Sequence, residues 1–285
     1  HYFPAPYIAQ NGRRPIVAAG DDFDEWLSQE AAQPPLYYLL GALLIAPSDT
    51  SAAREEVWPN KFASIGEADA LVNINRFVHT EIESWPWQSY AQAAHILRWF
   101  STLMGAGTLI FIYLAARLLW PCDTYRALLA IGLVAFLPQY NFLNASVSND
   151  PLIIFLVSAA LWQLIRMWQT GVSRGRLLLL GVTIGLSALT KNAGVSLLLY
   201  ALGVLLLLAI RNQAQSDTSQ GSGPAQISGG WRLVGASALW VALPAVLMAG
   251  WLWARNWSLY GDPLATNQFV QIAGGDRNYT FFQVL

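Results

Sequence analysis

Six long apolar stretches dominate the sequence between residues 96 and 254. They run over 96–120, 126–142, 151–168, 176–190, 194–210 and 232–254. A helix needs about 20 apolar residues to cross a bilayer, and most of these stretches come close to that length. The chain is 55% hydrophobic and only 12% charged, whereas soluble domains average about 25% charged residues. The sequence therefore predicts an all-α fold, a polytopic bundle of transmembrane helices.

The pattern divides the chain into three parts. Residues 1–93 are mostly polar, and their one apolar run, 35–46, is too short to span a bilayer. We therefore expect 1–93 to be a large first loop with juxtamembrane helices. Residues 94–254 form the bundle of about six spans, and 255–285 begin another polar segment. Residues 211–230 are rich in Gln, Ser and Gly and are expected to be a flexible loop.

Arginine positions predict the orientation. Short loops with many Arg or Lys residues lie on the cytoplasmic side of membrane proteins. Alternate loops carry the arginines Arg117, Arg126, Arg166, Arg174, Arg176, Arg211 and Arg232. The loop 143–150 between them has no Lys or Arg, and 191–193 has only Lys191. Residues 1–93 are then expected on the outer side, provided that 35–46 does not cross.

Several functions are disfavoured by composition. A net charge of −1 gives no reason to expect nucleic-acid binding. The single Cys122 excludes an internal disulfide and a cysteine metal cluster. The three histidines show no metal-ligand spacing. The acidic run Asp21, Asp22, Asp24 and Glu25 could bind a divalent cation, although such clusters are more often solvated turns.

The polar residues of interest collect on the predicted outer face. Lys191 interrupts two apolar stretches and either reaches toward the headgroups or binds an anion. Asp150 precedes Pro151 and either caps a helix or takes part in proton transfer. Arg255 and Asn256 either anchor the last span or bind substrate. Cations that bind phosphate, together with a carboxylate base, suit chemistry on an anionic, lipid-linked substrate.

The stretch Gln33–Tyr38 is predicted to join a polar loop to a helix. Pro34 restricts Gln33 to an extended conformation, and proline is tolerated at a helix start, so the helix should begin at about Pro35. Polar side chains flanked by aromatic ones at such a corner suit a site at a membrane–water boundary.

Ordered motifs along most of the chain resemble one family. They are His1-Tyr2, Gly12-Arg13-Arg14-Pro15, Gln33-Pro34-Pro35-Leu36-Tyr37-Tyr38, Arg98-Trp99-Phe100-Ser101, Asn144 to Pro151, Leu189-Thr190-Lys191 and Arg255 to Pro263. In order and spacing the chain resembles the membrane glycosyltransferases of the GT-C superfamily. Within it, the chain is most similar to family 39, which includes protein-O-mannosyltransferases and aminoarabinose transferases.

The resemblance implies a reaction. Such enzymes pass a sugar from a polyprenyl-phosphate donor to a lipid, glycan or protein acceptor on the outer face of the membrane, here the bacterial plasma membrane. The implied mechanism is a single displacement with inversion. No cofactor is implied with certainty beyond a possible divalent cation, and membrane lipids are the other expected partners.

The resemblance also implies site residues. The main catalytic base of the family is an Asp shortly before the position of His1. The base and the first transmembrane helix are then expected upstream of His1, and residues 1–285 alone are expected to be inactive. Asp150 matches a second acidic position of the family. Aminoarabinose transferases carry Lys where this chain has Gln33, so Lys191 or Arg255 would supply the charge. The expected substrate-binding residues are His1, Gln33, Tyr37, Lys191, Arg255 and Asn256.

Two other functions remain open at this stage. A transporter or flippase of a lipid-linked substrate could present the same polar residues, but it should place them along a path through the spans. A non-catalytic membrane scaffold would need neither such a path nor a cavity that opens outward.

Overall fold

The computed structural model describes residues 33–53, 58–59, 77–79, 81–219 and 229–266. The predictions on His1 and on the acidic run from Asp21 to Glu25 lie outside these residues. The chain divides into two compact units: residues 33–41 with 98–265, which hold nearly all of the helices, and residues 1–32, 42–97 and 266–285.

Eight α-helices are described. They are α1 Leu36–Ile45, α2 Ser89–Leu119, α3 Thr124–Ala135, α4 Pro138–Ala145, α5 Asp150–Thr170, α6 Arg174–Thr190, α7 Ser196–Ser219 and α8 Gly229–Tyr260. A 3₁₀ turn, Asn192–Val195, joins α6 to α7. The expectation of an all-α bundle of membrane helices is confirmed for the described residues.

The other unit contributes little regular structure within the described residues. Two two-residue strands, β1 Trp58–Pro59 and β2 Phe77–Val78, pair antiparallel. A 3₁₀ turn follows at Glu81–Glu83. In the first turns of α2, the ring of His95 stacks on that of Trp87, with centroids 3.8 Å apart.

Helix α1 begins where the two prolines predict. The N–H of Leu39 donates to the carbonyl of Pro35 over 2.9 Å, which closes the first turn. The helix has 10 residues and is therefore about 15 Å long, half the thickness of a hydrocarbon core of about 30 Å. Its length agrees with the prediction that 35–46 does not span. Its location at the outer boundary stays a prediction.

The expected span 126–142 is broken into two helices. Pro138 lacks an N–H and disfavours the helical region for the residue before it. Leu137 is accordingly extended, at φ −69° and ψ 119°. Helices α3 and α4 therefore meet at an angle of 65°, either as a broken span or as a re-entrant loop. The stretch 126–142 is therefore two helices and not one, because the proline interrupts it, and its crossing of the membrane stays a prediction.

The chain passes back and forth between two ends of the larger unit. At one end, which we call the Asp150 end, α5 begins, and α6 and α8 finish. The other end, the arginine end, carries Arg176, which donates to the carbonyl of Gly171 over 2.7 Å, and Arg211, which donates to that of Trp168 over 3.0 Å. Consecutive helices thus run antiparallel, as a polytopic bundle requires.

Four of the described helices are long and apolar enough to cross a membrane, or five if the bent pair is one span. They are α2, α5, α7 and α8. Helix α6 has 17 residues, and the 14 that follow Arg176 are apolar or small. It would bring the number of passes to six, but it is short for a span. The expected count of six therefore stays a prediction.

Helix α7 is longer than its apolar stretch. It continues through Ser219, and α8 starts at Gly229. The predicted loop 211–230 is therefore wrong over residues 211–219 and 229–230, which are helical. Gln and Asn are compatible with a helix once it has started, so the end of apolar sequence did not mark the end of the helix. Residues 220–228 lie outside the described residues.

Helix α6 packs in the interior of the bundle, against α5 and α8. Leu177, Leu180 and Ile184 are almost fully buried and join Val241 and Ala245 in the main apolar cluster. Glycines permit the close approach of α8. A Cβ on Gly181 would overlap the carbonyl oxygen of Val241, and one on Gly185 would lie 3.2 Å from the Cα of Ala245.

This packing predicts a selective effect of added methyl groups. Gly181→Ala should destabilise the folded protein by about 1–3 kcal/mol, since the helices must separate to admit the methyl group. Gly203→Ala in α7 is the matched control, because a Cβ there meets no atom within 4 Å. Melting temperatures in detergent should fall for Gly181→Ala alone. Equal melting temperatures for both variants would contradict the proposed close packing.

Candidate functional site

The central contact of the Asp150 end is an ion pair. Nζ of Lys191 lies 2.6 Å from Oδ1 of Asp150, and the two side chains are 33% and 32% exposed. Asp150 is the first residue of α5, and Lys191 follows the last residue of α6. Because α5 and α6 are antiparallel neighbours, these two ends meet. About one-third of each side chain is therefore accessible to a ligand.

Asp150 is not the helix cap that the sequence suggested. Asn149 occupies the N-cap position, with Asp150 and Pro151 as the first helical residues. The N–H of Asp150 donates to Oγ of Ser148 over 3.2 Å. The carboxylate turns instead toward Lys191, because an ion pair with a nearby ammonium group is available there. Of the two interpretations of Asp150, simple capping is wrong.

Asn149 ties the same two helix ends together. Its side chain is buried, and its amide donates to the carbonyl of Thr190 over 3.3 Å. Lys191 then leaves the helical conformation at φ −155° and ψ 142°. The N–H of Gly194 donates to the carbonyl of Lys191 over 2.8 Å and closes the turn. The backbone that carries Lys191 is therefore fixed on both sides.

The turn after α6 is so tight that position 194 requires a glycine. A Cβ at this position would overlap the carbonyl of Ser187 and the N of Ala188. The turn thus lies directly against the last turns of α6. As a result, the freedom of Lys191 resides in its side chain and not in its backbone.

Tyr37, a predicted substrate-binding residue, is buried in this structure. Its side chain is only 2% exposed, and its hydroxyl lies 3.2 Å from Oγ of Ser101. Burial raises the pKa of Tyr37, while hydrogen bonds from Ser101 and from the backbone of Ser148 lower it less. The hydroxyl therefore stays protonated at neutral pH. Substrate contact by Tyr37 remains a prediction, which its burial in this structure does not favour.

Arg255 and Asn256 lie in the last turns of α8. The guanidinium of Arg255 is exposed, and its Nη1 donates to Oδ1 of Asn256 over 3.3 Å. Asn256 is 7% exposed, and its Nδ2 donates to the carbonyl of Pro263 over 3.2 Å. Arg255 is therefore available to a ligand, while the amide of Asn256 is already engaged by protein.

The remaining predicted site residues divide into two groups. Gln33 is half-buried at the bend before α1, in the same unit as Asp150 and Lys191. His1 and the acidic residues that could bind a cation lie outside the described residues. Among the residues that the structure describes, no group of three or more His, Cys, Asp or Glu side chains could hold a metal ion.

Several residues of this region were missed or undervalued by sequence reasoning. Asn192 donates from Nδ2 to the carbonyl of Leu264 over 2.6 Å. Ser148, Asn149 and Thr190 support the ion pair through the contacts above. Their only signal in the sequence was proximity to Asp150 or Lys191, because the bonds of Asn149 and Asn192 join segments that are distant along the chain.

Comparison with known proteins gives one family match. Residues 92–219 match the family model described as dolichyl-phosphate-mannose-protein mannosyltransferase. The matched range is less than half of the 285-residue chain, and it contains both Asp150 and Lys191. It supports the resemblance at the level of GT-C-like membrane glycosyltransferases. Searches of curated proteins and of solved structures give no match.

The position of Tyr37 leads to a prediction on stability. Tyr37→Phe should destabilise the protein by about 0.5–1.5 kcal/mol, because a buried hydrogen bond to Ser101 is lost. Tyr125→Phe is the control, since Tyr125 is 77% exposed. Thermal unfolding in detergent would measure both. An undiminished melting temperature of Tyr37→Phe would argue against a structural role of this hydroxyl.

Proposed function

We propose that this protein is a membrane glycosyltransferase that uses a polyprenyl-phosphate-linked sugar. The reaction would transfer a hexosyl or pentosyl group, with mannose as the first donor to test, to a lipid, glycan or protein acceptor. It would take place on the outer face of the membrane and invert the anomeric carbon. The match over residues 92–219 supports the class of enzyme and of donor.

The observation that carries this proposal is the ion pair of Lys191 with Asp150 inside the matched range. One cation and one carboxylate lie side by side at the end of an apolar bundle. A lipid-linked phosphate would present its head group at that depth while its chain stays among the helices. Lys191 would bind the phosphate, because an ammonium group pairs well with phosphate oxygens.

In the proposed mechanism, each charged group has a distinct role. A carboxylate removes the proton from the acceptor hydroxyl as its oxygen attacks the anomeric carbon. The bond between that carbon and the phosphate oxygen breaks, and the electron pair leaves with the phosphate. Lys191 stabilises the negative charge that develops there. Asp150 either takes the proton itself or holds Lys191 in place, and the two roles give different kinetics.

Arg255 is proposed as a second cation for the same anion. It lies at the end of α8, which finishes at the Asp150 end of the bundle. Two cations would replace the charge that Gln33 cannot provide. Gln33 would contribute only neutral hydrogen bonds to the head group, which are weaker than charge-assisted ones.

The distribution of charge within the helices favours an enzyme over a transporter. In α5 and α6 the charged residues are Asp150, Arg166, Arg174 and Arg176, all within the first or last few residues. The buried hydroxyls of α6 donate to carbonyls of their own helix, as Thr183 does to Leu179 over 2.9 Å. These two helices therefore offer no charged path between the ends of the bundle.

Replacement of Lys191 tests the phosphate role. Lys191→Ala should weaken binding of undecaprenyl phosphate in nanodiscs by about 2–3 kcal/mol, or roughly 30- to 150-fold, the scale of a charge-assisted contact. Lys191→Arg should retain part of the affinity. Lys191→Ala also leaves the part-buried Asp150 carboxylate unpaired and should lower stability, so affinities are compared at a temperature at which both proteins are folded. Arg126→Ala, at the arginine end, is the control.

Wild-type affinity for undecaprenyl phosphate in Lys191→Ala would refute the phosphate role. In that case the ammonium group would only pair with Asp150. Loss of affinity in both Lys191→Ala and Arg126→Ala would indicate general electrostatic attraction instead of a specific site.

Replacement of Asp150 separates proton transfer from positioning. If Asp150 takes the proton, Asp150→Asn should lower kcat for sugar transfer from polyprenyl-phosphate mannose by about 10²–10⁴-fold. Binding of undecaprenyl phosphate should not weaken, because removal of the carboxylate also removes its repulsion of the phosphate. An unchanged kcat would exclude Asp150 as the base. Weaker binding with unchanged kcat would show that it positions Lys191.

A further inference from the structure

The segment that follows α8 is a folded turn and not a loose connection. Gly261 is at φ 67°, and its N–H donates to the carbonyl of Trp257 over 2.9 Å. The N–H of Leu264 donates to Oδ1 of Asp262 over 3.0 Å. Ala265 is buried, and its N–H reaches the carbonyl of Asp262 over 3.1 Å. A positive φ at Gly261 reverses the chain without strain, since glycine has no Cβ.

The side-chain amides of two asparagines donate hydrogen bonds to consecutive backbone carbonyls of this turn. Nδ2 of Asn256 donates to the carbonyl of Pro263 over 3.2 Å, and Nδ2 of Asn192 donates to that of Leu264 over 2.6 Å. Asn256 belongs to α8, and Asn192 to the turn after α6. We call these four residues the amide bridge. It joins the end of α8 to the turn that carries Lys191.

Each asparagine of the amide bridge is next to a cationic residue in the sequence. Oδ1 of Asn256 accepts from Nη1 of Arg255 over 3.3 Å. Asn192 follows Lys191 directly, within a turn closed by the bond from Gly194 to Lys191. An amide is suited to this task because it donates from one atom and accepts at the other. Both Nδ2 groups are already occupied by backbone carbonyls.

We propose that Asn192 and Asn256 are positioning residues that fix Lys191 and Arg255 relative to one another for a single phosphate group. This inference rests on the proposed function of Lys191. A flexible lysine and a flexible arginine each lose side-chain entropy on binding. When their backbones are held at one separation, the second cation binds an anion that the first already holds, and no further ordering of the chain is required.

The test is binding of undecaprenyl phosphate by the membrane-embedded protein in nanodiscs. Asn192→Ala should weaken binding about 3- to 10-fold, the effect of one lost hydrogen bond on the position of a cation. Asn141→Ala is the matched control, because Nδ2 of Asn141 also donates to a backbone carbonyl, that of Ala135, over 2.9 Å. The control should leave affinity within twofold.

Double variants decide between positioning and general support of the fold. In a Lys191→Ala background, Asn192→Ala should have less than a twofold further effect, because the cation that it positions is gone. Asn256→Ala should likewise lose its effect in an Arg255→Ala background. Equal effects of each Asn variant with and without its cation would overturn the inference. Such additivity is expected of residues that act only on stability.

A third variant keeps the test informative if Asn256→Ala does not fold. Asp262→Ala removes the acceptor of the Leu264 N–H and loosens the same turn, while Lys191 and Arg255 are both retained. It should weaken binding in the wild-type background and not in the double Lys191→Ala, Arg255→Ala background. Wild-type affinity in both Asn192→Ala and Asp262→Ala would overturn the inference.

The outcomes separate this inference from the proposed function. If Lys191→Ala and Arg255→Ala both bind undecaprenyl phosphate normally, the proposed function of the site fails, and the inference fails with it. If they lose affinity while Asn192→Ala and Asp262→Ala do not, the phosphate site stands, and the inference alone is wrong.

Discussion

The close packing of α6 against α8 is the constraint on which the candidate site depends. Gly181 and Gly185 leave no room between the two helices for a larger side chain. Inside a membrane such contact is a main source of association, because lipid is as apolar as the side chains and burial from water no longer drives it. The position of α6 therefore fixes where its last residue, Thr190, emerges, and with it the position of Lys191.

The end of α6 explains why hydrogen bonds to backbone carbonyls hold the site together. Thr190 presents its carbonyl to Asn149, and the turn after it is closed by Gly194. A helix end in an apolar surrounding must find partners for its last carbonyls. Here a polar side chain from the start of α5 provides one. The same requirement that stabilises the helix end thus brings α5, and Asp150 with it, to Lys191.

Much of the fold was predictable from hydropathy, and the errors of prediction at the helix ends have one physical origin. Length and apolarity located all six long segments, because few other structures tolerate so little charge. The polar first residues of α2 and polar last residues of α7 were assigned to loops, yet they are helical. Apolar sequence marks the part of a helix that can lie in lipid. The helix itself continues until a proline, a glycine or a competing bond ends it, as Pro138 does.

The charged pair of the site was predictable, whereas its supports were not. Lys191 and Asp150 are conspicuous because each interrupts apolar sequence, and a charge in that position needs a partner or a function. Their pairing could not be predicted from local sequence, because 41 residues separate them along the chain. Tyr37 was expected at the substrate from its place beside two prolines. Its burial depends on Ser101, 64 residues away, and no local pattern contains that information.

The helix dipoles favour the negative charge of the ion pair at the start of α5 and the positive charge at the end of α6. Asp150 lies in the first turn of α5, where unpaired N–H groups favour negative charge, and Lys191 follows the last turn of α6, where unpaired carbonyls favour positive charge. Each helix end therefore attracts a charge of the sign that its residue carries. An anion that approached Lys191 would enter the field at the start of α5 as well, and would meet the carboxylate of Asp150 as its competitor. The phosphodiester of a lipid-linked sugar carries the same single negative charge as a carboxylate, but in the proposed site it would pair with Arg255 as well. Under the proposed function, Lys191 would exchange partners, from Asp150 to phosphate, and this exchange would leave the Asp150 carboxylate free to accept a proton.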